Sequence, residues 1–548
     1  AASACYGTTT AGYYIASANT STQTTCTAGY YCVATNITYG STGGRTACST
    51  LGSNYTSAAG ADAATKCYMN ISANYYKTSA NANTQTACAS THYSVAHISY
   101  YGSADSCTAK STNTLGFSAT SGTITYPTTT TSFTVNSNPS GGALSCGTSN
   151  SAVATCSVSG TTVTVTWAGA GSATITVYSA ATTTYLQGSK AYTVTCSKGT
   201  PTLTLSATSG TIANAANTAS FTAKLSIAGT LSISSGTTSV ATVSPTSQSA
   251  TANTAYTITV TPVNVGSSTI TVSYAGNSYY NAVSKTYTVT VSNYLYNYIY
   301  LNSPTGLSKA YYSSGTYTDT LYRYAATSNS VNNYVCLGTS GTTCTNGSAN
   351  MYRIIGIEPS TGYIKVVKQL YYTTVTWASA TGTTWPNSTI YSSANTTFVN
   401  ANTWVSNIST THLWYYGNVS DRASAAVIYN GERGASGTYR VGAVSGTDIY
   451  LAHSTRTINW NSSGDSYYTQ NWLHKYNNGG SAQDEWTMTA YIVSGSAANA
   501  LVWKSTGKVN YGQKNSFTFN YRPTFYLKAA VSRSSGTGTS SSPFVVTY

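Results

Sequence analysis

Apolar and hydroxyl side chains alternate in short runs along much of the chain. Thr162-Val163-Thr164-Val165-Thr166-Trp167 and Thr257-Ile258-Thr259-Val260-Thr261 put apolar groups on one face and hydroxyls on the other, the period of a half-buried strand. From about residue 115 to 291 such runs occur twice in one order. Ser118-Ala119-Thr120-Ser121-Gly122-Thr123-Ile124 returns as Ser206-Ala207-Thr208-Ser209-Gly210-Thr211-Ile212, and Ser132-Phe133-Thr134 as Ser220-Phe221-Thr222. Val153-Ala154-Thr155 returns as Val240-Ala241-Thr242, and Tyr192-Thr193-Val194-Thr195 as Tyr287-Thr288-Val289-Thr290. The spacing drifts by only a few residues, so this stretch is two copies of one domain. Each copy holds about seven such runs between Gly, Ser and Asn turns, which predicts a β-sandwich.

Further along, Asn293-Tyr294-Leu295-Tyr296-Asn297-Tyr298-Ile299-Tyr300 alternates too and predicts a connecting strand. Met351–Ile357, a turn at Pro359–Gly362 and Tyr363–Lys368 predict a hairpin. Short helices are expected near Thr396–Ile408 and Gln470–Tyr476. The closing run Pro543–Tyr548 predicts a strand that pairs inside its own domain or with another chain.

A second duplication fills residues 1–110. Cys5-Tyr6 matches Cys67-Tyr68, Tyr13-Tyr14 matches Tyr75-Tyr76, and 18 of the 37 positions from Cys5 to Ser41 are identical at constant offset. The unit has too few large aliphatics to bury a core alone, so disulfides must supply what burial does not.

Composition rules out some classes. Only 6% of residues are charged, against about 25% in ordinary globular chains. Disorder is excluded by 41% hydrophobic and 12% aromatic residues in strongly patterned positions. The solvated faces are therefore Thr, Ser, Asn and Tyr. The net charge of +14 reflects scarce acids, ten in all. The basic residues are scattered singly, so no nucleic-acid partner is expected, whereas a diffuse positive field suits an anionic cell surface or polysaccharide. No CxxC pair occurs among the twelve cysteines, so neither a zinc site nor any other metal or cofactor is expected.

Disulfides in an oxidising compartment are the favoured use of these cysteines. The candidates are Cys5, Cys26, Cys48, Cys67, Cys88, Cys107, Cys146, Cys156, Cys336 and Cys344. Either Cys5–Cys26 with Cys67–Cys88, or Cys26–Cys48 with Cys88–Cys107, respects the repeat. Cys32 faces Ser94 in the second repeat and is the candidate free or inter-chain thiol, as is Cys196, which takes the place of Val291. Cys146 and Cys156 stand where the second sandwich has Ile233 and Val243. Neither a signal peptide nor a run long enough to span a membrane is visible.

Ala11-Gly12-Tyr13-Tyr14 and Ala28-Gly29-Tyr30-Tyr31, set among cysteines, resemble the ephrin-receptor-like cysteine-rich modules of extracellular proteins. Ser239–Ser244 (SVATVS), Gly266–Val272 and Lys285–Val291 resemble the tandem immunoglobulin-like domains of secreted bacterial surface proteins, which implies a spacer or stalk. Asn333-Tyr334-Val335-Cys336, Tyr352–Gly356, Asn471-Trp472-Leu473, Val502-Trp503 and Tyr521-Arg522-Pro523-Thr524-Phe525-Tyr526-Leu527 resemble a domain repeated in secreted proteins of gut Firmicutes. That ending is also similar to the lectin-like fold of formylglycine-generating enzymes, an analogy of fold only. The expected fold is mostly β: two disulfide-rich repeats (1–110, divided near 62), two tandem immunoglobulin-like sandwiches (111–198 and 199–292), and a mixed α+β, aromatic-rich, lectin-like C-terminal domain (293–548).

Candidate chemistry is sparse. His412, His453 and His474 share the C-terminal region with Asp465, Asp484 and Glu485, but solvated or hydrogen-bonded surface groups outweigh a hydrolytic carboxylate pair. No Gly-x-Ser-x-Gly elbow occurs. Arg353 and Arg522 lie in apolar runs, so each needs a partner such as Glu358, Asp484 or Glu485, or a ligand carboxylate. Trp377, Trp385, Trp414 and Trp460 are the candidates for stacking on sugar rings. The expected function is an extracellular structural protein of a bacterial cell surface, not an enzyme, assembling with its own copies into a filament or array. The competing expectation is an adhesin that binds glycan or host protein through the C-terminal domain.

Overall fold

The computed structural model describes residues 6–314, 317–326, 328–338, 340–379, 384–420, 424–454, 471–475, 483–493, 496–505 and 509–548. The protein is mostly β and disulfide-rich, and it divides into two compact units. One is Ala1–Thr200 with Gly276–Asn281; the other is Pro201–Ala275 with Ala282–Tyr548.

In the first unit each cysteine-rich repeat is three short antiparallel pairs. Tyr6–Thr8 pairs with Asn36–Thr38, Tyr13–Tyr14 with Thr24–Thr25, and Tyr30–Tyr31 with Thr46–Ala47. The second repeat answers with Tyr68–Ile71 on His97–Tyr100, Tyr75–Tyr76 on Thr86–Ala87, and His92–Tyr93 on Thr108–Ala109. The cysteines depart from the symmetric expectation. Cys26 bridges Cys32, Cys48 bridges Cys67 and Cys88 bridges Cys107. Cys32 is therefore neither free nor inter-chain. It offers Cys26 a partner six residues away, which releases Cys48 to reach forward to the first cysteine of the next repeat. The second repeat has Ser94 at that place, its hydroxyl on Tyr75 O, so Cys88 takes Cys107. Cys5 lies outside the described residues.

The first sandwich packs the sheet Gly116–Phe117, Thr130–Ser137, Thr162–Trp167, Ala154–Ser159 against Ser121–Thr125, Gly188–Ser197, Gly171–Ser179, Leu144–Thr148. Alternate residues point inward, and at its centre Phe133 and Tyr192 stack 4.0 Å apart. Gly122 passes under that ring, where an added Cβ would lie 2.0 Å from the Tyr192 hydroxyl. Cys146 and Cys156 bridge the edge strands Leu144–Thr148 and Ala154–Ser159 of the two sheets. Cys196 is buried in the core without a bridge, which leaves it no access to another chain in this fold.

The second unit repeats the sandwich. Leu203–Leu205, Ala219–Leu225, Ala255–Pro262 and Ala241–Ser244 face Ser209–Ile212, Val283–Val291, Gly266–Tyr274, Gly229–Ser235 and Ser247–Ala250. Phe221 and Tyr287 repeat the central stack at 4.1 Å, and Gly210 repeats Gly122. Here no cysteines staple the edge; Ser247–Ala250 adds a strand over Gly229–Ser235 instead.

The expected connecting strand after residue 292 is a helix, Leu295–Asn302. It buries Leu295, Tyr296 and Ile299, and the Asn297 amide binds the backbone of Ala213, Ala215 and Ser292. Beyond it, one sheet runs Val441–Gly442, Thr524–Leu527, Tyr363–Lys368, Met351–Glu358, Tyr334–Cys336, Phe544–Thr547, Ser532–Ser535. The predicted hairpin is present as Met351–Glu358 on Tyr363–Lys368. The last strand, Phe544–Thr547, pairs within its own unit, between Tyr334–Cys336 and Ser532–Ser535. A second sheet is built around Glu485–Val493 and Ser496–Trp503. Short helical turns occur at Thr389–Ser392, Ser393–Phe398, Thr403–Asn407 and Trp472–Lys475.

Candidate functional site

The densest chemistry in the second unit is a buried charge network below a narrow cleft of about 70 Å³. Arg323 comes from the strand Tyr322–Tyr324 and Lys365 from Tyr363–Lys368, while Glu432 ends the helix Ala425–Glu432. Asp448 lies in the first turn of Gly446–Leu451, where Ser445 and Asp448 bond each other's backbone N–H in a reciprocal cap. That cap aims the carboxylate at two cations. Arg323 donates to Asp319 and, at 2.7 Å, to Asp448 Oδ1, and Lys365 Nζ lies 2.8 Å from both Asp448 oxygens. All four groups are buried. Glu432 accepts from Thr447 Oγ1 at 2.6 Å and from the Thr489 hydroxyl.

The two interior carboxyls are pushed in opposite directions. Burial raises Glu432 above the usual range, with the Thr447 and Thr489 hydrogen bonds pulling back in part. Burial would raise Asp448 as well, but Lys365 and Arg323 more than reverse it, and its carboxyl sits well below the usual range. Opposed shifts are what general acid–base chemistry requires. Geometry points elsewhere: Asp448 is locked by two cations and a cap, and Glu432 by two threonines. The arrangement positions strands and helices around a fixed charge centre. At its mouth, His412 stacks on Tyr526 at 3.5 Å and lies 3.5 Å from Glu358, and Arg433 lies 3.1 Å over the Tyr429 ring.

The stacking tryptophans are corrected by burial. Trp377 and Trp385 are at most 1% exposed and Trp414 is 3% exposed, so none presents a face to a sugar. Their indoles serve the core; Trp377 Nε1 donates to Thr487 O at 3.0 Å and Trp414 Nε1 to Tyr439 O at 2.7 Å. Trp460 and Asp465 lie outside the described residues. His453 and His474 are buried groups, not surface ones. Burial and the Arg522 charge lower His474 to about 3, so it is a neutral ring stacked on Trp503 at 4.2 Å.

Arg522 forms a two-pronged ion pair with Glu485 at 2.8 and 2.9 Å. Arg353 donates to Asn333 and Asn329 and lies 3.8 Å over Tyr334. Asp484 pairs with Lys504 at 2.9 Å. Cys336 and Cys344 are bridged. Sequence reasoning missed Asp319, Arg323, Lys365, Glu432 and Asp448; the one available signal was the Ser445-x-x-Asp448 cap before an apolar run. Among the described residues no cluster could hold a metal ion, and no helix is long and apolar enough to cross a membrane.

No protein-family model and no curated protein matches the chain. Among solved structures, domains 4 and 5 of the S-layer protein SbsC are 23% identical over 27% of this chain and 75% of theirs, with a TM-score of 0.15. The Yersinia pseudotuberculosis adhesin InvE is 11% identical over 75% of this chain and 97% of its own, with a TM-score of 0.22. The titin domains z1z2, in complex with telethonin, are 14% identical over 32% and 96%, with a TM-score of 0.21. Likenesses at these scores carry no argument about function.

Proposed function

We propose that the chain is an extracellular structural protein of a bacterial surface, whose copies assemble into a filament or array through neutral sheet edges. The observation that carries this reading is the placement of the sandwich lysines. The eight strands at the sheet edges, from Gly116–Phe117 to Ser247–Ala250, contain no charged residue. Lys190, Lys224 and Lys285 lie on the interior strands Gly188–Ser197, Ala219–Leu225 and Val283–Val291. Edge charge is the usual deterrent to pairing between chains, and these edges lack it. Hydroxyl-rich faces add to the effect, because little charge is desolvated at a lateral contact.

No catalytic role is proposed, since each acid of the interior network is held by its neighbours. The partners proposed are copies of the same chain, with no nucleic acid and no cofactor. An adhesin acting through the second unit is the second reading, favoured by the aromatic and cationic mouth formed by His412, Tyr415 and Arg433. Electron microscopy and light scattering of the purified native chain test the first reading. Ordered filaments or sheets are expected; a dispersed monomer at high concentration, with no inter-chain pairing, would end it.

A further inference from the structure

The duplication in the first unit provides an internal comparison. Cys5 and Cys67 set an offset of 62 residues between the two repeats. In the second repeat a groove is filled by the chain that precedes it, Gly52 to Tyr55. Tyr55 is 4% exposed, lies edge-on to Tyr101 with centroids 5.5 Å apart, and donates its hydroxyl to Ala82 O at 2.7 Å. Asn54 donates its backbone N–H to Asn83 Oδ1 at 2.9 Å and its side-chain amide to Asn83 O at 2.7 Å. Met69 packs beside Tyr55, and Lys77 Nζ reaches the Tyr55 hydroxyl at 3.3 Å.

At the same offset the first repeat has Tyr39, Thr20, Ser21, Gly7 and Ile15, and these five line an open groove of about 390 Å³. The groove is the counterpart of the one that receives Asn54 and Tyr55. Tyr39, in the place of Tyr101, is 66% exposed. Of the bonds that hold Asn54 and Tyr55, two end on main-chain carbonyls, which any residue at positions 20 and 21 also supplies, while the Lys77 bond to the Tyr55 hydroxyl has no equivalent at Ile15. The floor is deeper, because Gly7 and Ile15 are smaller than Met69 and Lys77, and a Cβ on Gly7 would meet nothing within 4 Å. The lining has no charged side chain, which matches an uncharged Asn-Tyr segment.

We propose that this groove docks an extended segment in which asparagine precedes tyrosine, supplied by another cysteine-rich repeat of the same kind. The tyrosine ring lies against Tyr39 with its hydroxyl on Thr20 O, and the asparagine amide bonds Ser21 O. The inference does not depend on how the sandwiches assemble, so it can fail while the assembly reading stands, and the reverse.

A fluorescein-labelled peptide of residues 50–57, titrated with the full chain and read by anisotropy, tests it. Saturable binding is expected. Tyr39→Ala in the chain, or Tyr55→Ala in the peptide, weakens it by about tenfold through loss of the ring pair and, in the peptide, the hydroxyl bond. Ser21→Asn restores the side-chain acceptor that Asn83 provides and tightens binding by roughly threefold, a gain that misfolding does not mimic. Absence of binding by both the natural chain and Ser21→Asn would overturn the proposal. So would binding indifferent to Tyr39.

Discussion

Asp448 is the residue whose neutralisation tests the charge centre of the second unit most sharply. In Asp448→Asn the side chain keeps its size, but Lys365 loses the carboxylate 2.8 Å from its ammonium and Arg323 keeps only Asp319. Removing one partner of a buried ion pair costs about 3–5 kcal/mol, because the remaining charge stays desolvated. The amide retains part of the cap on Ser445, so the cap contributes less than about 1 kcal/mol of the loss. A loss of about 4 kcal/mol is expected. Eight of the nine tryptophans lie beyond residue 300, so urea unfolding followed by tryptophan fluorescence reports mainly this unit. Pairing Asp448→Asn with Lys365→Met removes the stranded ammonium and should recover at least about 1.5 kcal/mol. The pH dependence has a definite sign. Because the folded Asp448 is shifted down, its stabilisation is complete above the unfolded aspartate range near pH ~4 and is lost as pH falls below that. Glu432 is shifted up and works oppositely, its contribution declining as pH rises through and above the ordinary glutamate range near ~4.3. The variant should therefore lose much of the acid limb of the stability curve. A cost below about 1 kcal/mol, or a double variant no better than the single one, would refute the network as a structural centre.

Three further outcomes follow from the first unit. Gly122→Ala places a Cβ 2.0 Å from the Tyr192 hydroxyl and must disturb the stacked Phe133–Tyr192 pair, so it should cost about 1–3 kcal/mol by calorimetry. Peptide mapping under non-reducing conditions should recover Cys26–Cys32, Cys48–Cys67 and Cys88–Cys107, and a Cys26–Cys48 peptide would contradict this pairing. In the same experiment Cys196, buried with its thiol pushed up by desolvation, should react with iodoacetamide only after denaturation.

The sandwiches and the Met351–Lys368 hairpin were legible because their information is local: alternation fixes which side chains go inward, and a Pro-Ser-Thr-Gly turn joins the strands. The helix Leu295–Asn302 was not legible, because tyrosine counts as either apolar or polar. Treated as polar, it gives an alternating run; treated as apolar, it exposes the helical spacing of Leu295, Tyr296 and Ile299. Asn297 decides the matter through bonds to Ala213 and Ala215, contacts about eighty residues away that no local pattern contains. Cys88–Cys107 follows one of the two symmetric pairings, but the bridges of the first repeat were not legible, for a related reason. Symmetry predicts pairing only where the repeats are symmetric, and the one extra cysteine, Cys32, reroutes two bridges.

The distribution of acids connects the charge centre to the proposed surface role. Asp319, Glu432, Asp448 and Glu485, four of the chain's ten acids, are all buried, each with cations or hydroxyls around it. Ordinary soluble domains do the reverse, with charge outside and apolar groups within. Buried ion pairs are a weak source of stability against apolar packing of the same volume, so stability alone does not account for them here. They fix geometry, since a guanidinium shared between Asp319 and Asp448 tolerates little displacement of either. Interior acids also leave the exterior to threonine, serine, asparagine and tyrosine, whose hydrogen bonding is insensitive to salt and, below the tyrosine range, to pH. Contacts between such exteriors are therefore expected to persist as ionic strength rises. Assemblies of the native chain that disperse in salt, while the fold survives, would mean that the scattered lysines and arginines hold the copies together instead.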